Sequence, residues 1–158
     1  MLLEFNNKNA EEVVQGILER IIAETDALGC FLVDESGFLI AEAGAIEIDR
    51  VALSALVSAT FGATAEVARI LGEPDFSRLT HHGLTRNLYI ARAGKHHILL
   101  IVFGPDTNLG LIKIFAQQFS GSLADALDLA REINHEYDFN ESTKSSLKEN
   151  DEEIEDIF

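Results

Sequence analysis

Few residues in this chain are suited to chemistry: the lone cysteine Cys30, the dipeptides His81-His82 and His96-His97, and the turn Asp34-Glu35-Ser36-Gly37. Asp34 and Glu35 could act as general acid and base beside the Ser36 hydroxyl, yet no nucleophile or oxyanion donor stands near them in sequence. A hairpin corner accounts for the same residues. Asp34 and Ser36 can bond turn amides, and Gly37 supplies a positive φ. The histidine pairs fall in extended segments, where neighbours point to opposite faces, and the further Cys, His or acidic ligands of a zinc site are missing at recognisable spacing. Surface histidines are the better reading. Cys30 follows Gly29 at the head of an apolar strand with no basic neighbour to lower its pKa, which marks a packing residue rather than a nucleophile. Phosphate-loop, dinucleotide, HExxH and CxxC patterns do not occur. The expectation is a protein with no catalytic site of its own, no metal and no cofactor.

The elements that must position these residues are legible from periodicity. Val13, Val14, Ile17, Leu18, Ile21, Ile22 and Leu28 recur at helical spacing, predicting a first helix from Asn9, as cap, to Leu28, with Gly29 as its left-handed exit. Strands follow at Cys30–Val33 and Phe38–Ala43. A second helix is punctuated by Asp49 as N-cap, Gly72 as its exit and Pro74 beyond. Further strands are expected at Phe76–Thr80, Leu84–Ala93, His96–Phe103 and, after Gly104-Pro105-Asp106, Leu109–Phe115. A last helix covers about Gln117 to Tyr137, with Phe119, Leu123, Leu127, Ala130, Ile133 and Tyr137 as its stripe. The order, helix, two strands, helix, three or four strands, helix, is not βαβ alternation. It implies an α+β sandwich: an antiparallel sheet of about five strands flanked by three helices.

The second helix carries the least ordinary pattern. Leu53, Leu56, Val57, Phe61, Val67, Ile70 and Leu71 gather on one side, which is expected to face the core. The opposite side carries Ser54, Ala55, Ser58, Ala59, Gly62, Ala65, Glu66 and Arg69, where a solvated face would be rich in Lys and Glu. Glycine within a helix costs about 0.5–1 kcal/mol relative to alanine, so Gly62 invites a packing explanation. Two remain open: a second buried surface within the monomer, or an interface with another chain.

The 158 residues suffice for one domain with a core. A formal charge of −15 opposes binding to nucleic acid or anionic membrane and would draw in a basic partner. One cysteine allows no internal disulfide, the start MLLEFNNKN lacks a signal-peptide pattern, and no uninterrupted apolar run approaches the roughly 20 residues of a membrane span, so a cytoplasmic protein without membrane insertion is expected. From Asp138 the composition turns polar and acidic, with eight carboxylates to two lysines by Phe158. Residues 1–137 thus read as a folded domain and 138–158 as a flexible acidic tail, disordered over Asn140–Asn150. Ile154, Ile157 and Phe158 stand at i, i+3 and i+4, so one helical turn at the end would present a small apolar face to a partner. The bland alternative is a solubilising appendage, which gains nothing from three large apolar residues.

The hairpin FLVDESGFLIAEAG, the small-residue helix ending RILGEPDF, and LLIVFGPDTNLGLIKI leading into a last helix together resemble the roadblock / dynein light chain superfamily over roughly residues 6–137, most closely its bacterial MglB branch. The acidic end NDEEIEDIF is similar to the C-terminus found in that branch. The resemblance implies a profilin-like fold, a homodimer that joins two sheets and pairs the second helices, and a Ras-like small GTPase of the MglA type as partner. It further implies stimulated GTP hydrolysis through repositioned switch residues of the GTPase, with no inserted arginine. By resemblance, Ala55, Ala59, Gly62, Ala63 and Glu66 lie on or beside the platform, Arg69 is the one arginine on that face, and Ile154, Ile157 and Phe158 dock the tail. A roadblock dimer that only recruits a GTPase or motor component is the alternative. A small-ligand sensory domain on the same fold lacks convergent polar residues that can be named.

Overall fold

A computed structural model describes residues 2–155, with side chains described over 9–136 and 138–148. Eight elements follow one another: α1 (Leu2–Thr25), β1 (Gly29–Asp34), β2 (Leu39–Gly44), α2 (Arg50–Leu71), β3 (Arg78–His82), β4 (Asn87–Ala93), β5 (His97–Phe103) and α3 (Leu109–Glu155). The five strands form one antiparallel sheet in the order β2-β1-β5-β4-β3, so β5, apolar from Ile98 onward, lies at the centre and β2 and β3 form the edges. Its alternate residues serve two cores. Leu99, Ile101 and Phe103 meet Val14, Leu18 and Ile21 of α1 and Ile112, Phe119 and Leu123 of α3. Ile98, Leu100 and Val102 meet Val57 and Phe61 of α2. Two helices therefore cover one face of the sheet and a single helix the other.

The helix ends correct several expectations. Asn9 is not a cap, because nothing in residues 2–8 breaks a helix and α1 begins at Leu2. Its exit is Asp26 in the left-handed region (φ 54°), with its amide bonding Ile22 O at 3.0 Å, and Gly29 instead opens β1. The strand expected at Leu109–Phe115 is the first part of α3. Asn108 Oδ1 accepts from Gly110 N at 2.7 Å, and Ile112 and Ala116 are buried one turn apart, a spacing that suits a helix. The expected disorder over Asn140–Asn150 is likewise replaced by helix: no glycine or proline follows Gly121, so nothing interrupts α3 after its packed part ends. Residues 138–148 are exposed along this extension, held by local contacts such as Thr143 Oγ1 donating to Phe139 O at 2.8 Å.

Both ends of α2 match the sequence reading. Asp49 accepts from Ala52 N at 3.0 Å, and Gly72, at φ 74°, closes the helix with Glu73 N on Ala68 O at 2.9 Å. Its orientation does not match. The inward line is Ser54, Val57, Phe61 and Ala68, whereas Leu56, Val67, Ile70 and Leu71, expected in the core, are exposed. A helix apolar on nearly every side gives periodicity no polar face to measure against, and one sheet can cover only one line of it. Ser54 is tolerated inside because its hydroxyl donates to Arg50 O at 2.7 Å.

Candidate partner-binding surface

The outward side of α2 is a long apolar surface that a single chain leaves uncovered. Ala55, Ala59, Gly62, Ala63, Glu66 and Arg69 are all exposed on its solvent side. Around them stand Ile70, 75% exposed, Leu56, 66%, and Val67, 49%, which the helical pattern places inward, together with Val51, 79% exposed. Isolated exposed leucines are ordinary, but a contiguous apolar strip along 22 residues marks a surface that meets something. A Cβ added at Gly62 would meet no atom within 4 Å, so the glycine serves nothing inside the monomer and leaves room for a neighbour. By length and composition α2 could also cross a membrane, contrary to the expectation that no segment could; its inward line is nonetheless held on the sheet, and Glu66 and Arg69 sit on its outward side.

Charge on this surface is sparse and self-contained. Arg69 Nε donates to Glu66 Oε2 at 2.9 Å across one helical turn, with both side chains largely exposed, so the pair contributes little to stability. Arg92 of β4 anchors the helix from beneath: its guanidinium lies 5.0 Å from the centroid of the Phe61 ring and its Nε bonds Asp75 Oδ2 at 2.9 Å. This ties the end of α2 to the sheet and fixes which side faces out.

The turn Asp34-Glu35-Ser36-Gly37 supports the other end. Asp34 Oδ1 accepts from Ser36 N and Phe38 N, both at 2.9 Å, and Gly37 adopts φ 91°, so the hairpin reading holds for both. Glu35 does more than turn a corner. Its carboxylate meets His96 Nδ1 at 3.0 Å, its amide donates to His96 O, and its carbonyl accepts from Ser58 Oγ of α2 at 2.7 Å. A Cβ on Gly37 would stand 3.0 Å from the Ala55 Cα, so only glycine lets the turn approach α2. Glu35 thus joins both hairpin tips to the helix through partners 61 and 23 residues away, distances at which local sequence carries no signal.

Cys30 is fully buried, and burial pushes its thiol well above the ordinary value, as suits a packing residue. His81 and His82 are exposed on β3. Among the described residues no three His, Cys, Asp or Glu side chains converge as metal ligands. The backbone of Ile154 lies within α3, and Ile157 and Phe158 lie outside the described residues.

Residues 13–103 match the model of the Roadblock/LC7 domain. The chain belongs to the Roadblock/LC7 family. No curated protein matches it, but solved structures do. An MglB with a tetrameric arrangement superposes with a TM-score of 0.74 at 30% identity, covering 77% of this chain and 92% of that one. The gliding protein MglB of Thermus thermophilus gives 0.71 at 31% identity, over 78% and 92%. Acanthamoeba castellanii profilin IA, at 13% identity and a TM-score of 0.53 over 70% and 96%, shares the fold alone. This roadblock domain is therefore profilin-like in architecture and similar in sequence and structure to MglB.

Proposed function

We propose that this roadblock protein acts as a cytoplasmic homodimer that binds a small Ras-like GTPase of the MglA type and accelerates its GTP hydrolysis, in the service of cell polarity or motility. The observation that carries the reading is the outward side of α2, where small residues at Ala55, Ala59, Gly62 and Ala63 run beside the exposed Leu56, Val67 and Ile70. Such a strip lets two backbones approach closely and leaves an apolar seam on which a third chain can sit. The edge position of β3 is compatible with the same pairing, since its outer hydrogen-bonding groups face no other strand among the described residues. The likeness to MglB supplies the GTPase as partner.

The reading has no inserted catalytic group: Arg69, the arginine on this surface, is paired with Glu66 of the same helix. The activator's part is to hold the switch segments of the GTPase in a productive arrangement, and the hydrolytic machinery belongs to the GTPase. The acidic extension of α3, with Phe139 and Leu147 exposed upon it, is a second, separate contact, continued by Ile154, Ile157 and Phe158. Single-turnover GTP hydrolysis by the MglA-type GTPase of the same cell, with and without this protein, tests the reading. Acceleration is expected, and Gly62→Arg is expected to abolish it with the circular dichroism spectrum unchanged, because the position is open in the monomer. Binding without acceleration would favour a scaffold; full acceleration by Gly62→Arg would remove α2 from the contact.

A further inference from the structure

On the side of the sheet away from α2, a cleft of about 780 Å³ opens between α1, α3 and the tips of both hairpins. Its room comes from alanine at four facing positions, Ala10, Ala41, Ala126 and Ala130, where a larger apolar residue would close the space. Val14, Ile40 and Leu127 add to an apolar floor. The volume lies within the range of specific binding clefts, about 300–1,000 Å³.

The rim is charged and unbalanced. Glu11, Glu12, Asp34 and Glu35 border it against the single guanidinium of Arg131. Asp34 is occupied by turn amides and Glu35 by His96, but Glu11 and Glu12 are exposed and have no ion-pair partner among the described residues. His97, also on the rim, is held below its ordinary value of 6.5 chiefly by burial, so at neutral pH it offers no compensating charge. An apolar floor beneath a rim where carboxylates outnumber cations among the described residues complements Lys or Arg beside Leu- or Ile-sized side chains. The chain's own C-terminal segment does not fit, because its eight carboxylates and two lysines would meet like charge.

We infer that this cleft is a docking site for a short basic and apolar segment of a partner protein, separate from whatever chain covers α2. The inference stands on the α1 and α3 side alone and does not depend on the GTPase reading.

Titration of the full-length protein with the peptide acetyl-Arg-Leu-Ile-Arg-amide, followed by amide chemical shifts, tests it. Shifts are expected at Glu11–Gln15, Asp34–Ser36 and residues 126–131. Filling the floor with Ala130→Phe removes binding. The pair Glu11→Gln and Glu12→Gln, on an exposed rim where folding is unaffected, weakens it about three- to tenfold. The inference is overturned by absence of binding, by equal binding of acetyl-Glu-Leu-Ile-Glu-amide, by shifts centred on residues 138–148, or by undiminished affinity in the two-glutamine variant.

Discussion

The two faces of one sheet are treated differently in this molecule. On one, α1 and α3 interlock with each other as well as with the strands, leaving Leu18, Ile21, Leu99, Ile101 and Leu123 fully buried, and the Arg20 guanidinium lies 5.5 Å from the centroid of the Phe119 ring where the helices meet. On the other, α2 reaches the sheet along Ser54, Val57, Phe61 and Ala68 and turns an equally apolar side outward. Both faces are lined by apolar helices, so burial is decided by how many helices are present to share it. The closed face stabilises the monomer, and the open face is where the proposed function places another chain.

The largest expected contrast follows directly. Leu18→Ala leaves a cavity in a close-packed core and costs about 2–5 kcal/mol of stability, whereas Leu56→Ala, on the outer shoulder of α2, changes monomer stability by no more than about 0.5 kcal/mol. Urea denaturation at protein concentrations low enough to keep the chain monomeric measures both. Leu56→Ala should instead weaken self-association in sedimentation. Equal destabilisation by the two would mean that α2 is as firmly enclosed as α1, and the comparison would fail.

The same contrast explains what the sequence disclosed. Element order, the caps of α2 and the central position of β5 are legible, because capping residues and strict periodicity act locally; the small side of α2 is legible in part, since Ser54, expected on it, lies inward. The orientation of α2 was not: Leu56 and Ile70 look like core residues on any helical wheel, and only the count of covering helices shows that they have nothing to cover them. Leu109–Phe115 is ambiguous for a related reason, since a short, mostly apolar segment fits either strand or helix until Asn108 is seen to cap it. Glu35 was legible as a turn residue and opaque as a tie to His96 and Ser58, which are brought to it by the fold. For the acidic extension, composition reports the lack of a core contact but not the lack of a helix breaker.

A smaller effect sharpens the comparison on the closed face. His97 begins β5, and burial lowers its pKa from 6.5, with Arg131 and His96 adding in the same direction and Asp34 and Asp128 opposing. Between that lowered value and 6.5, the unfolded chain binds more protons at this position than the folded one. Stability contributed by His97 is therefore complete above 6.5, falls as pH drops below 6.5, and stops falling once pH passes the folded pKa. Denaturation midpoints of wild type and His97→Gln across roughly pH 7.5 to 5 should diverge in that direction. Parallel curves would show that the imidazole stays hydrated and that the closed face is open at this end.

The smallest effect is predicted where a charged group on the open face invites the largest claim. Arg69 stands on the outward side of α2, and an arginine entering a GTPase site is worth about 10³–10⁵ in rate. Its guanidinium is already engaged by Glu66 within the same helix, on a rim where both side chains are largely exposed. Releasing it for insertion would break that pair and order a long side chain, with no second cation nearby on the helix to take its place. Arg69→Ala should reduce stimulated hydrolysis by much less than about 10³-fold, an effect on the scale of a rim contact, with affinity for the GTPase little changed. A loss of about 10³-fold or more at undiminished affinity would make Arg69 a participant in the transition state, and the open face would then be an active surface as well as a platform.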